Sequence, residues 1–103
     1  MSGETAAPRR LYLVLYDVAS SRRRRRVFAL LQAAGAWTQY SAFFCRLTAF
    51  AMTRLETELR GMLEGKADRL LIVDLGEAER AGNRLRTLGA GAPPPAPEPF
   101  LIL

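Results

Sequence analysis

The sequence predicts one α+β domain in which two helices cover an antiparallel sheet. Three observations carry this expectation: an unbroken apolar run at Leu11–Tyr16, two later stretches with helical apolar spacing, and a second apolar run at Leu70–Leu75. Their order is strand, helix, extended segment, helix, strand, which suits a helix layer packed on an antiparallel sheet. At 103 residues, half of them apolar, the chain is sized for one modest core. So small a domain leaves much apolar surface uncovered when alone, and a homodimer is the expected remedy.

Residues 1–10 are small, polar or charged and include Pro8, which reads as a flexible N-terminal arm. The run LYLVLY is continuous rather than alternating, the pattern of a strand covered on both faces, and it ends at Asp17. Ser20 or Ser21 caps a helix to about Ala34, because Val27, Leu30, Leu31 and Ala34 share one face, and Gly35 is the expected stop. Trp37–Leu47 is aromatic-rich and lacks Gly, Pro, Asn and Asp, so it reads as extended structure. Its eleven residues exceed the usual strand length of about five or six. One long strand and a hairpin bending near Gln39–Ser41 both stay open. If the strand is unbroken, Gln39, Ser41, Phe43 and Cys45 face one side and Tyr40, Ala42, Phe44 and Arg46 the other.

Thr48 caps a second helix whose stripe is Met52, Leu55, Leu59, Met62 and Leu63, with Gly65 closing the run. Leu70–Leu75 is the next strand. With a hairpin at 37–47 the order becomes β-α-β-β-α-β, a ferredoxin-like domain over residues 11–76. Residues 77–103 form a C-terminal extension: Leu85–Leu88 as a short strand, the spacer GAGAPPPAPEP, and Phe100–Leu103. An apolar FLIL after a stiff spacer is expected to dock as an additional edge strand, on its own sheet or a partner's.

The formal charge is +5 and 14 of the 15 basic residues are arginine, whose planar fork of donors matches phosphate geometry. Placement says more than the total. Arg22, Arg23, Arg24, Arg25 and Arg26 crowd the first turns of the first helix, where the helix dipole and mutual repulsion disfavour positive charge. Phosphate contact by some of them, and so DNA or RNA as partner, is the better reading than a solvated face. Cys45 is the sole cysteine and there is no histidine, which excludes an intrachain disulfide, Cys-based zinc sites and His-assisted nucleophiles. No Gly-rich phosphate loop follows a strand. The longest apolar run is six residues, far short of the roughly 20 that span a bilayer, and residues 1–8 do not read as a signal peptide. A cytoplasmic protein without a membrane partner is expected.

Carboxylates and hard metals remain as the available chemistry. Asp17 at the end of the first strand either caps the following helix or binds Mg²⁺ or Mn²⁺. One carboxylate is a poor metal site, and a dimer that opposes two copies of Asp17 repairs the deficiency. The aromatics of 37–44 either stack bases or, more often for such residues, fill a core or dimer contact. Cys45 reads as a small buried apolar residue.

Three pieces in order, LYLVLYDV with the arginine cluster and V-x-x-L-L, then QYSAFFCRL, then RLLIVDL, resemble the CRISPR-associated protein two family, the CRISPR-associated endoribonucleases. The resemblance covers about Leu11–Leu75. It implies a ferredoxin-like homodimer whose C-terminal strand completes the partner's sheet, with Tyr16 and Asp17 as the Tyr-Asp pair and Asp17 as the metal ligand. It carries catalytic roles onto Tyr16, Asp17, Arg24, Arg26 and Phe43. Ser20 stands where many members have the second acid of D-x-x-D, and Trp37 where a basic residue precedes Q-x-S. The implied functions are Mg²⁺- or Mn²⁺-dependent cleavage of single-stranded RNA or duplex DNA, and bridging of CRISPR integrase dimers during spacer adaptation. A ferredoxin-like RNA-binding or regulatory module without catalysis is the competing reading.

Overall fold

The computed structural model describes residues 7–89. Strand β1 is Arg9–Asp17, helix α1 Ser21–Ala34, strands β2 and β3 are Ala36–Gln39 and Ala42–Thr48, helix α2 is Ala49–Met62, strand β4 Arg69–Glu77, and helix α3 Ala78–Gly82. The sheet order is β2-β3-β1-β4, with every neighbouring pair antiparallel. This is the expected ferredoxin-like arrangement. Both central strands are flanked by their pairs, so β1 and β3 lie under the helices and β2 and β4 form the edges of the described sheet.

Each main helix begins where a hydroxyl meets an orphan N–H. The Ser20 side chain accepts from the Arg23 N–H at α1, and Thr48 accepts from the Ala51 N–H at α2. The core then follows from two periodicities. Alternate residues Tyr12, Val14 and Tyr16 of β1 and Phe43, Cys45 and Leu47 of β3 meet Val27, Leu31 and Ala34 of α1 and Met52, Leu55 and Leu59 of α2. Leu30, Met62 and Leu63, expected in the stripes, are only partly buried at its margin.

The segment 37–47 resolves as a hairpin. Its turn, Tyr40–Ser41, contains none of the usual turn residues, and Tyr40 accepts a left-handed φ of 44°. Gly35 ends α1 for a different reason than backbone freedom, since its φ of −159° is extended. A Cβ there would sit 2.5 Å from the Phe44 carbonyl oxygen and 2.7 Å from Cys45 Sγ, so the glycine permits the helix end to close on β3.

Several boundaries differ from the sequence reading. β1 begins at Arg9, inside the expected arm, because Arg9 and Arg10 pair with Thr48 and Leu47 and Arg10 bonds Asp74. β4 runs to Glu77, past a bulge opposite Arg10–Tyr12 and Gly76 at φ 99°. Helix α2 stops at Met62 rather than at Gly65. Leu85–Leu88 is not a strand; α3 precedes it instead, burying Ala78 and Ala81 against β1 and β4, while Leu88 is exposed. The proline spacer and Phe100–Leu103 lie outside the described residues.

Candidate nucleic-acid interface at one end of the sheet

The antiparallel register fixes which features share an end. Asp17 pairs with Arg69, the first residue of β4, and Leu15 pairs with Ala42, the first residue of β3. The β2–β3 turn is drawn to the same end by the Tyr16 N–H, which donates to the Ser41 carbonyl at 3.1 Å. Helix α1 starts four residues beyond Asp17. One end of the sheet therefore carries Asp17, Arg69, the Tyr40–Ser41 turn and the arginine block.

Side chains of β1 alternate, so Tyr16 and Asp17 point to opposite faces. Tyr16 enters the helix-side core, stacked with Phe43 at a ring separation of 6.3 Å, and Phe43 is itself wholly buried and edge-on to Phe28. Burial pushes the Tyr16 phenol above its usual range, opposed by the neighbouring Ser41 side chain and the Arg24 charge. Tyr16 and Phe43, which the resemblance counts among the catalytic residues, thus both sit in the core, where they hold the strand end in place. Asp17 is exposed on the sheet face away from α1 and α2, as is Leu15, with Leu13 half-buried on the same face.

The arginine block divides in two. Arg23 turns inward and grips Asp68, Nε to Oδ2 at 2.7 Å and Nη2 to Oδ1 at 3.1 Å. Arg24 donates from Nη1 to the Val18 carbonyl at 2.8 Å. Arg22, Arg25 and Arg26 are exposed, with no acidic partner among the described residues. Five consecutive positions wind past one full turn, so some were bound to face the sheet. Arg23 is thus committed to Asp68, whereas Arg24 is exposed and gives one of its donors to the β1–α1 loop.

Asp68 is the residue that sequence reasoning missed. Its wholly covered carboxylate accepts from Arg23, from the Glu64 N–H at 2.8 Å and from the Ala19 N–H at 2.9 Å. Arg23 foremost, then these backbone N–H groups, hold it well below the usual carboxylate range. Asp68 ties the loop that follows Asp17 to the loop that precedes Arg69. Nothing in the local pattern KADRL distinguishes such a clamp from a surface acid. A cluster of three or more metal-ligating side chains does not occur among the described residues, so one chain offers a hard cation only Asp17 here.

The sequence profile of CRISPR associated protein Cas2 matches residues 10–81. The chain belongs to the Cas2 family of CRISPR-associated proteins. It is 35% identical over 79 residues to the CRISPR-associated endoribonuclease Cas2 of Geobacter sulfurreducens, covering 77% of this chain and 83% of that one. A Synechocystis CRISPR-associated endoribonuclease Cas2 is 33% identical over 97 residues, covering 90% and 99%. Among solved structures, Streptococcus pyogenes Cas2 superposes with a TM-score of 0.67 at 28% identity, covering 77% of this chain and 99% of that one. A Thermus thermophilus protein of hypothetical function reaches 0.73 at 30%, covering 84% and 99%. Cas2 membership replaces the reading of a ferredoxin-like module unrelated to CRISPR. Among the described residues, no helix is long and apolar enough to cross a membrane.

Proposed function

We propose that this Cas2 chain acts in CRISPR spacer adaptation as a homodimer that binds nucleic acid and bridges integrase dimers, and that the paired Asp17 carboxylates support metal-dependent endonuclease activity. The observation that carries the reading is that Asp17 shares the face away from α1 and α2 with an uncovered apolar surface. Leu13 pairs with Phe44 and Val73, and Leu15 with Ala42 and Leu71, so these residues form one patch, with Leu15 37% and Leu71 53% exposed. A patch of this kind favours burial against a second sheet. Packing two such faces about a two-fold axis brings the two Asp17 strand ends toward each other.

Two opposed carboxylates suit Mg²⁺ or Mn²⁺, which take one or two carboxylates with water and phosphate oxygens. When bound, the ion supplies an activated water and neutralises charge at the scissile phosphate. The chain's own residues do the rest. Arg22, Arg25 and Arg26 hold flanking phosphates with charge-assisted hydrogen bonds. Arg24 and the Arg23–Asp68 pair fix the loop between Asp17 and those arginines, so the acid and the phosphate donors keep their spacing. The relatives named as endoribonucleases favour RNA cleavage as the activity to test first.

Docking of Phe100–Leu103 finds support in the edge of β4. There Leu59, Leu63, Leu70 and Ile72, with the Glu56–Arg60 ion pair, line an open groove between α2 and β4 that suits the apolar side chains of an added strand. The deciding experiment compares wild type and Asp17→Ala on single-stranded RNA and duplex DNA with Mg²⁺, alongside nucleic-acid affinity. Cleavage lost with affinity kept is the expected result. Equal cleavage by both proteins removes Asp17 from the chemistry and leaves the bridging role alone.

A further inference from the structure

The Tyr40–Ser41 turn carries a cost that the fold does not recover. A two-residue hairpin turn is ordinarily met by Asn, Asp or Gly, which tolerate a left-handed backbone. Here Tyr40 occupies that region at φ 44° while its ring is 89% exposed. Among the described residues, Tyr40 contributes to the turn through its backbone carbonyl, which accepts the Trp37 indole N–H at 2.8 Å and which any residue would supply. Trp37 is itself 51% exposed. Strain held at an exposed aromatic, without packing in return, points to a use for the ring outside the folded domain.

Its position says what that use is. The Ser41 carbonyl accepts the Tyr16 N–H at 3.1 Å and Arg24 donates to the Val18 carbonyl at 2.8 Å two residues on, so the turn and the start of α1, where Arg22, Arg25 and Arg26 are exposed, share one end of β1. Aromatic faces beside a basic surface are the chemistry of single-stranded nucleic acid, whose phosphates meet cations while its bases stack on rings. We propose that Tyr40, on a turn braced by Trp37, is a stacking platform for an unpaired nucleobase on a strand whose phosphates lie along the exposed arginines of α1. The proposal rests on the nucleic-acid-binding reading above and adds a residue and a preference to it. A duplex keeps its bases stacked and gains only the arginine contacts, whereas a single strand gains both.

The test is Tyr40→Gly, which removes the ring while relieving the left-handed strain, with Tyr40→Phe as the variant that keeps the ring. Anisotropy titrations use a labelled uridine homopolymer and a blunt DNA duplex at one salt concentration, with sedimentation reporting oligomeric state. Expected results are an affinity for the single strand about tenfold weaker in Tyr40→Gly, wild-type affinity in Tyr40→Phe, and unchanged duplex affinity in both. Unchanged single-strand affinity in Tyr40→Gly overturns the proposal, as does an equal loss on both probes. A changed oligomeric state in Tyr40→Gly also overturns it, assigning the ring to contact between copies. If wild type binds neither probe, the nucleic-acid reading itself fails; if it binds both and Tyr40→Gly alters neither, only the stacking role falls.

Discussion

Arg23 and Asp68 form a two-point ion pair across 45 residues of chain, at 2.7 and 3.1 Å, and the same carboxylate caps the Ala19 and Glu64 N–H groups. The pair converts two adjacent loops into one unit at the end of the sheet where Asp17 sits.

This arrangement sets a pH dependence. The Asp68 carboxyl titrates lower in the folded chain than in the unfolded one, where its pKa is about 3.9. A depressed folded value means that the stability it brings is fully present above that range and is lost as pH falls through it. Denaturant midpoints of wild type should therefore fall below about pH 4, and Asp68→Asn should lower the neutral-pH midpoint and flatten that acid limb. Asp74, lowered chiefly by the Gly76 N–H and by Arg10, leaves a residual slope. An acid limb equally steep in Asp68→Asn contradicts the assignment.

The division of the arginine block gives a second prediction. Each phosphate-bound cation contributes about one unit to the slope of log affinity against log salt. Arg22→Ala, Arg25→Ala and Arg26→Ala should each reduce that slope by roughly one and leave the melting temperature unchanged. Arg23→Ala should do the reverse, keeping the slope and lowering the melt. Titrations at several salt concentrations beside thermal scans decide it, and a wild-type slope in all three exposed variants would refute phosphate contact.

How far these features were legible in the sequence depends on the range over which each is specified. The helix caps at Ser20 and Thr48 and the stripes Val27–Leu31–Ala34 and Met52–Leu55–Leu59 are local, and spacing reveals them. The turn at Tyr40–Ser41 was only an open alternative, because tertiary pairing of β3 with β1 imposes it against local preference. Helix α3 escaped notice because its signal is two alanines, Ala78 and Ala81, whose burial depends on the β1 and β4 surface. At the candidate site, Asp17 was visible as the end of an apolar run. That Arg23 is committed to Asp68 was not, since the partner lies on a distant loop. The resemblance counts Phe43 and Tyr16 among the catalytic residues, and only the structure shows that the pleat turns both toward the core.

Gly35 offers a test of packing rather than chemistry. A methyl at this position meets the Phe44 carbonyl oxygen and Cys45 Sγ at distances that no real Cβ keeps, and neither is the end of a flexible side chain. Gly35→Ala should cost about 2–3 kcal/mol as the helix end is pushed from β3. Urea titration measures it, and a cost below about 0.5 kcal/mol would mean that the α1–β2 junction shifts freely. Cys45 reports the same region: burial pushes its thiol up to about 12, so alkylation of the native protein near pH 8 should be very slow and should accelerate in Gly35→Ala.

The sheet face away from α1 and α2 yields the last prediction. Leu15 and Leu71 are cross-strand partners on that face and stand clear of the helix-side core, so replacing either with glutamate leaves the domain's own packing intact. In the proposed dimer the same change buries an unpaired charge near its symmetry copy, which costs several kcal/mol. Leu71→Glu should therefore weaken association at least about a hundredfold while circular dichroism stays that of wild type. Metal-dependent cleavage should fall with association, because one chain supplies only half of the carboxylate pair. Sedimentation equilibrium with parallel cleavage assays separates the possibilities. A Leu71→Glu protein that stays dimeric moves the interface elsewhere, and a monomer that still cleaves makes Asp17 sufficient by itself.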